Sequence, residues 1–557
     1  MTGGGGRSRD WLPAAGWLRG YRGPWSVDVL AGLTVVALVV PEGMAYAQVA
    51  GMPPQTAFYA APIALLLYAL LGTSRQLVVS LSGTVAVLSA ATVGALAAQG
   101  GAEFAALTAA LAILTGLVAL AAGILRLGRF SQFFSESVLT GFVTGLALVI
   151  AVKQVPKILG IDGGGDGFFD RVWTILRQLG QIRPLTLLVG LFAIAVIVVI
   201  GRFWPKVPAS LAALVTGIGV SAVFTLSDND VDVVGDLPSG LAPPALPDVS
   251  FGDLAGLAAG AVGLALVTFA EAIGVARSLA NKHGYEVDAD AELRALGAAN
   301  IGAGLFQGLP TGSSLSNSAA NDAAGARTPV SLIVAAVLTA LVALFLTGLF
   351  TPLPEATLGG IVVMAVARMI KARELARLWR VRRADFLLGV VALLGVLVFD
   401  VLPGLAIAVV CSAFVVIYRA ANARPAALGR EKGGPDLVDV GQNPDAHAFS
   451  GVLVVRPNAP VFFANAVSLR DWVVGRLGDQ HAVVLDLEAT TDLDVPAADM
   501  IRELRADLGR RHVALRLARV HHGVREMLSR AGVMDVVGAD HVHGSTREAI
   551  DAAGPAT

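Results

Sequence analysis

The sequence predicts a polytopic α-helical membrane protein of fourteen helical segments in two halves of seven, followed by a compact α/β domain at the C-terminus. Three observations carry that reading. Of 557 residues, 55% are hydrophobic and only 15% charged, with a mean hydropathy of +0.70, whereas soluble domains carry about 25% charged residues. The apolar residues are also concentrated. Between Val29 and Lys157 the only charged residues are Glu42, Arg75, Glu103, Arg126, Arg129, Glu136, Lys153 and Lys157, so this stretch has no polar face to turn to water. Beyond residue 421 the pattern reverses and charges become frequent. The hydrophobicity excludes disorder. A net charge of -1 argues against a nucleic-acid partner, which leaves a basic footprint. The single cysteine, Cys411, removes any disulfide framework and any paired-thiol metal site.

Apolar runs bounded by Gly, Pro and charge clusters place the first seven segments near 29–47, 57–72, 83–98, 104–125, 136–156, 184–202 and 207–225. The second seven follow near 254–277, 291–306, 314–323, 330–349, 355–370, 385–400 and 403–420. Crossing a bilayer takes about 20 residues at 1.5 Å each, so several of these are too short to span alone. Segment 1 is not a cleavable signal peptide, because Pro41 and Glu42 interrupt it and further helices follow. The domains expected are an N-terminal segment (1–25), membrane half 1 (26–226), a linker (227–253), membrane half 2 (254–422), a second linker (423–445) and the terminal domain (446–557).

Charge sets the expected orientation in a cell membrane. A cytoplasmic N-terminus puts Arg75, Arg126, Arg129, Arg202, Lys206, Arg277, Lys282 and Arg327 inside, with the basic run from Arg368 to Arg383. The linker from Leu226 to Asp253 holds six aspartates and no Lys or Arg, which suits the outer side. One outer loop, 159–183, dissents with three arginines beside three aspartates. An even number of segments returns the terminal domain to the cytoplasm. That domain alternates short β-like runs (Val452–Arg456, Ala482–Leu487, Val513–Leu517) with amphipathic helices (Ala464–Leu477, Ala497–Leu508, Gly523–Arg530, Ser545–Ala552), the pattern of a compact α/β fold.

Corresponding places in the two halves hold unusual sequence. Segment 3 opens with Ser80-Leu-Ser-Gly-Thr84, and segment 10 with Gly308-Leu-Pro-Thr-Gly-Ser-Ser-Leu-Ser-Asn317. Paired short, Gly/Pro-interrupted segments point to a transporter's midplane site. A half-helix that begins inside the membrane presents N–H groups without partners and a partial positive charge, and two such ends facing each other make an anion site. The competing explanation is that these Ser and Gly residues serve helix packing. Two acids lie deep in apolar sequence, Glu42 in segment 1 and Glu271 in segment 8, again corresponding positions. Ionisable groups in a span mark a functional path by default, and burial disfavours the charged form, so either acid is a candidate proton carrier. The alternative is a carboxylate hydrogen-bonded to a neighbouring helix for structure alone.

The pattern resembles the SulP (sulfate permease) family of anion transporters over almost the whole chain. The resemblance is carried by Pro41-Glu-Gly-Met-Ala-Tyr-Ala47 with Ala50-Gly-Met-Pro-Pro54, Leu71-Gly-Thr-Ser-Arg75, Glu271-Ala-Ile and Asn321-Asp-Ala-Ala-Gly-Ala-Arg-Thr-Pro329. The terminal domain resembles a STAS domain. The resemblance implies a seven-plus-seven inverted repeat, with a core domain from segments 1–4 and 8–11 moving like an elevator against a gate domain, and a homodimer. Carried over by position, the anion would meet Glu42, Tyr46, Thr84, Val85, Ser313, Ser314, Leu315, Ser316 and Asn317, while Glu42 and Glu271 would serve the coupling ion, H+ or Na+. Family members often have Gln at the Glu42 position, Pro at Thr84 and Arg at Asn317. An ionised Glu42 beside a multiply charged anion costs several kcal/mol at low effective dielectric, so Glu42 is expected to be protonated when substrate binds. That favours proton-coupled symport and a monovalent anion or a carboxylate over sulfate. In the terminal domain Val495 follows Asp494 where regulatory relatives carry a phosphorylatable hydroxyl. Asp494 before Pro496 also suits a plain helix start.

The leading function is therefore secondary active transport of a small inorganic or carboxylate anion across a lipid bilayer. An anion channel or uncoupled exchanger on the same scaffold is the alternative. A nucleobase permease and a STAS-based signalling platform are weaker ones. No Walker A loop, Rossmann fingerprint or HExxH motif is present, so neither an enzyme nor a cofactor is expected. His521-His522 and His541-Val-His543 are read as solvated side chains rather than metal ligands.

Overall fold

The computed structural model describes residues 25–129, 136–165, 167–204, 207–399, 401–431, 433–434 and 436–554. The chain divides into two compact units, one ending at Ser412 and one beginning at Ala413.

The first unit is helical. Its first half comprises α1 (Trp25–Val49), α2 (Thr56–Leu71), α3 (Gly83–Gly94), α4 (Ala102–Ile124), α5 (Glu136–Leu159), α7 (Pro184–Phe203) and α8 (Ala209–Phe224), with α6 (Phe168–Arg177) between α5 and α7. Its second half comprises α9 (Phe251–His283), α10 (Ala289–Leu305), α11 (Leu315–Ala323), α12 (Val330–Phe345), α13 (Glu355–Ala367) and α15 (Arg383–Phe399), with α14 (Ala372–Val381) before α15, and α16 (Val401–Ala421) runs across the division at Ser412. A helix thus stands at each predicted segment, and α6 and α14 are amphipathic additions. Among the described residues, five helices (α1, α4, α5, α7, α9) are long and apolar enough to cross a membrane by length and composition. Helix α3 ends at Gly94, four residues before the expected end, because the Ala95–Gly101 turns follow. Helix α9 runs to His283, past the expected 277, because Lys282 and His283 both pair with Asp322 (2.6 and 2.5 Å).

The helix contacts repeat from one half to the other. Helix α4 packs on α10 as α12 packs on α2; α1 packs on α12 as α9 packs on α4; α5 packs on α15 as α13 packs on α7. Short strands β1 (Val79–Ser80) and β2 (Gly312–Ser313) pair antiparallel, Val79 opposite Ser313 and Ser80 opposite Gly312. These exchanges are those of a two-fold axis through the β1–β2 pair, which makes the halves an inverted repeat. The contacts also sort the helices. Helices α1–α4 and α9–α12 form one bundle, and α5, α7, α8, α13 and α15 a second, touching the first through α1–α13, α1–α8 and α3–α5.

Small residues permit these crossings. A Cβ at Gly297 of α10 would lie 2.7 Å from Leu120 N of α4, and one at Gly304 would lie 2.5 Å from Ala109 O. A Cβ at Gly141 of α5 would overlap Gly389 O of α15.

The second unit carries a six-stranded sheet, order β4-β3-β5-β6-β7-β8. The strands are β3 (Ala426–Arg430), β4 (Leu437–Asp439), β5 (Val452–Arg456), β6 (Ala482–Asp486), β7 (Ala514–Ala518) and β8 (Val542–His543). Pairings among β5–β8 are parallel, and β3 is antiparallel to β4 and β5. Helices α17 (Ala466–Val474), α18 (Val495–Gly509), α19 (His522–Arg530), α20 (Val533–Val537) and α21 (Thr546–Asp551) complete the α/β fold. The linker expected over 423–445 therefore contains two strands. Ala426 and Leu428 turn the same face inward and bury it with Val452 and Val454, a pattern too short to register against the surrounding Gly and Pro.

Asp486, fully buried at the end of β6, accepts hydrogen bonds from Arg456 Nε (2.9 Å), Arg519 Nε (3.0 Å) and Thr546 Oγ1 (3.2 Å). Asp494 caps α18 by accepting from Ala497 N (3.0 Å), and its other oxygen accepts from Phe463 N (2.8 Å). Its carboxylate is occupied as a cap, and Val495 beside it is exposed.

Candidate anion site

The two half-helices α3 and α11 begin beside the β1–β2 pair. Each start is built alike. Ser82 caps α3 by accepting from Val85 N (3.4 Å), and Ser314 caps α11 by accepting from Asn317 N (3.3 Å). The intervening first N–H groups of each helix have no intrahelical acceptor. The starts are locked to each other: Ser314 N donates to Val78 O (3.0 Å), Val78 N to Ser318 Oγ (2.9 Å) and Asn321 Nδ2 to Gln76 O (3.0 Å). A Cβ at Gly312 would come within 2.7 Å of Val85 Cγ2 and 3.3 Å of Ser82 Oγ, so only a glycine lets the two starts meet this closely.

Helix α1 covers this junction from one side. A Cβ at Gly83 would lie 3.2 Å from Tyr46 Cε1, which puts the buried Tyr46 ring over the start of α3. Glu42, one turn earlier on α1, is 6% exposed, and its Oε2 has no hydrogen-bond partner. Asn317, buried at the start of α11, likewise has side-chain amide atoms that meet no hydrogen-bond partner. Helix α9 closes another side. Thr84 Oγ1 donates to Glu271 Oε1 (2.9 Å), and Thr268, one turn before Glu271, packs against Gly312.

Of the residues expected at the site, Glu42, Tyr46, Thr84, Val85, Ser313, Ser314 and Asn317 are buried, and Ser316 is half-buried with its Oγ 3.2 Å from Ser314 Oγ. Leu315 does not join them. Its side chain is 65% exposed. The cluster also holds Thr268 and Thr311, whose buried hydroxyls are unpartnered like that of Ser313. Sequence reasoning missed both, although Thr268 lies three residues before Glu271, on the same helix face. A buried polar atom without a partner costs roughly 1–3 kcal/mol. Several such atoms gather at this one junction of half-helix starts.

Residues 26–392 match the Sulfate permease family and 443–549 the STAS domain. The chain belongs to the sulfate permease family. It is 36% identical to a probable sulfate transporter of Mycobacterium tuberculosis over 98% of both chains. It is 29% identical to the chloroplastic sulfate transporter 4.1 of Arabidopsis thaliana, over 95% of this chain and 81% of that one. Among solved structures, murine Solute Carrier 26 family member A9 superposes with a TM-score of 0.89 at 24% identity, covering 99% of this chain and 96% of that one. The transmembrane domain of the cyanobacterial bicarbonate transporter BicA gives 0.62 at 23% identity, covering 70% of this chain and 98% of that one. The resemblance read from the sequence is thereby borne out, and so is the fold of a sulfate permease.

Two further acids, not singled out in the sequence, brace the segments that flank the half-helices. Glu292 of α10, fully buried, accepts from Tyr68 Oη (2.6 Å), Thr73 N (2.7 Å), Thr73 Oγ1 (2.6 Å) and Ser74 N (3.1 Å). Asp28 of α1 accepts from Arg327 N (2.8 Å), Thr328 N (3.0 Å) and Thr328 Oγ1 (3.0 Å). The Leu71–Arg75 and Asn321–Pro329 motifs are therefore the donor sides of two carboxylate clasps, one before α3 and one after α11.

Proposed function

We propose that this sulfate permease is a secondary transporter of small anions, binding its substrate between the starts of α3 and α11. The observation that carries the reading is the junction itself: two serine-capped helix starts, aimed at one pocket, beside buried side chains that have hydrogen-bonding capacity to spare. Helix starts favour negative charge through their free N–H groups and dipoles. The names of the relatives, sulfate transporters and a bicarbonate transporter, support the same ligand class.

The bundle of α1–α4 and α9–α12 carries the pocket and moves against the second bundle, as an elevator does against its shaft. All the pocket's side chains belong to the first bundle, so the site can travel as a unit. Glu42 and Glu271 carry the coupling proton. Glu42 faces the pocket with an unpartnered oxygen, and an ionised carboxylate there would repel the anion. Protonation before anion binding removes that repulsion and makes H+ and anion travel together. The N-terminus and the STAS domain lie on the cytoplasmic side, the side of the basic run from Arg368 to Arg383.

The test is uptake into proteoliposomes. Labelled sulfate, bicarbonate, nitrate and dicarboxylates are offered with and without an inward proton gradient. Wild type is expected to accumulate at least one of these anions in response to the gradient, and Glu42→Gln to transport without that response. A Glu42→Gln protein with the same gradient-driven accumulation as wild type refutes the role given to Glu42.

A further inference from the structure

The seam between the two bundles holds a cavity of about 430 Å3, within the size range of small-molecule sites. The first bundle lines it with Gln48 at the end of α1. The second lines it with Gln154 and Lys157 of α5, Thr186 of α7 and Glu355 of α13. The cavity lies close to the half-helix starts. A Cβ at Gly83 would meet Tyr46 Cε1 at 3.2 Å and Ile150 Cδ1 at 3.5 Å, so both side chains cover the start of α3. Gln154 stands one turn beyond Ile150 on α5, and Gln48 two residues beyond Tyr46 on α1. The cavity therefore begins one helical turn, about 5 Å, past that start. It sits at the Glu355 end of α13, away from the basic run that begins at Arg368.

Three cations and three acids line the cavity, at different depths. Lys153, Lys157 and Arg171 are half-buried, whereas Asp162 and Asp232 are exposed. Asp232 also pairs with Arg183 (3.7 Å), and Glu355 with Lys157 (3.1 Å). Lys157 Nζ donates in addition to Gln48 Oε1 (2.9 Å). An ammonium has three donors, and these two acceptors leave one for a ligand. Arg171 is held on the wall by its Nη2, which donates to Gly165 O (2.7 Å). Thr186 supplies a neutral donor. It is 3% exposed, and its hydroxyl meets no hydrogen-bond partner.

We propose that this cavity is a second anion site, where a small oxyanion or carboxylate docks on Lys157 and the Thr186 hydroxyl before reaching the starts of α3 and α11. This rests on the transport reading above and adds to it a station on the route. Half-buried cations in a cleft raise the local concentration of anions. The third ammonium donor gives a charge-assisted contact, and the hydroxyl gives a second. A cation gains less here, because Glu355 and Asp232 already pair with Lys157 and Arg183.

The experiment uses the full chain with Gln99→Cys on a Cys411→Ser background, which places a thiol on the exposed rim of the cavity. Its labelling rate is measured in detergent against sulfate and nitrate concentration, and uptake of the same anions is measured in proteoliposomes. The anions are expected to slow labelling. The half-protecting concentration should rise about 3–10-fold in Thr186→Val and about 10–100-fold in Lys157→Gln. Thr186→Ser and Lys157→Arg should stay near the parent, and Arg177→Gln, an exposed arginine stacked on Trp173 (5.0 Å) outside the cavity, should match it. Thr186→Val should also keep the melting midpoint, since the hydroxyl it removes has no partner in the protein. Ser314→Ala, at the start of α11, should lower uptake and leave protection in place. No protection by either anion, protection unmoved by Thr186→Val and Lys157→Gln, or protection lost in Ser314→Ala overturns the second site, while uptake by the parent keeps the transport reading standing. Protection without uptake overturns the transport reading and the route with it.

Discussion

The carboxylate of Glu292 offers the sharpest check on how the site is supported. It holds the turn at Thr73 and Ser74, which leads directly into β1 and the start of α3. Replacing Glu292 by Ala leaves its donors without an acceptor. Tyr68 and Ser74 are each at most 1% exposed, so water does not replace the lost oxygens on Tyr68 Oη and Ser74 N. Two stranded donors at about 1–3 kcal/mol each place the loss at roughly 2–6 kcal/mol. The cavity left by the side chain adds to this.

Glu292→Gln separates charge from shape. An amide oxygen at the Oε1 position still accepts from Thr73 and Ser74, and Tyr68 Oη can turn to accept from the new NH2. Only the charge assistance is lost, about 1–2 kcal/mol. The assay is the apparent melting midpoint of detergent-solubilised protein, read by fluorescence-detected size exclusion. The expected order is wild type, then Glu292→Gln, then Glu292→Ala lower by about 2–7 °C. A Glu292→Ala protein that melts with wild type, or a Gln variant as damaged as the Ala variant, shows that the clasp does not hold the turn.

Other expectations follow from the same geometry. Lys157 Nζ reaches Gln48 Oε1 of α1 (2.9 Å) and Glu355 Oε2 of α13 (3.1 Å), one partner in each bundle, beside a cavity of about 430 Å3 that Gln154 also lines. Lys157→Gln should raise thiol labelling of Gln154→Cys on a Cys411→Ser background, and unchanged labelling counts against a tie between the bundles. Gly297→Val forces a side chain into Leu120 of α4 and should cost about 1–3 kcal/mol or prevent folding, seen as a lower melting midpoint. In the STAS domain, burial and the charge of Arg516 hold His541 and His543 below the ordinary histidine range. Their unfolded forms therefore bind protons first, so stability present above about pH 6.5 declines as pH falls below it. Burial raises the Asp486 carboxyl, but hydrogen bonds from Arg519 and Arg456 outweigh it and leave it lowered, which puts a second loss below about pH 4. Hydrogen exchange of β6 and β7 amides in the full chain should show the upper step, and His543→Gln should flatten it.

The helices were legible because lipid and protein interior impose the same demand: an unbroken apolar run between Gly, Pro and charge. The half-helices were legible for the opposite reason. Gly312, Ser314 and Ser82 sit where an ordinary span would be apolar, and each proves to have a local task as a close approach or a cap. What stayed hidden depends on partners distant in sequence. Glu292 and Asp28 stand near helix ends, where an acid looks interfacial, and their partners lie 219 and 300 residues away. Strands β3 and β4 stayed hidden because a three- to five-residue strand among Gly and Pro gains its apolar face only from its neighbours in the sheet.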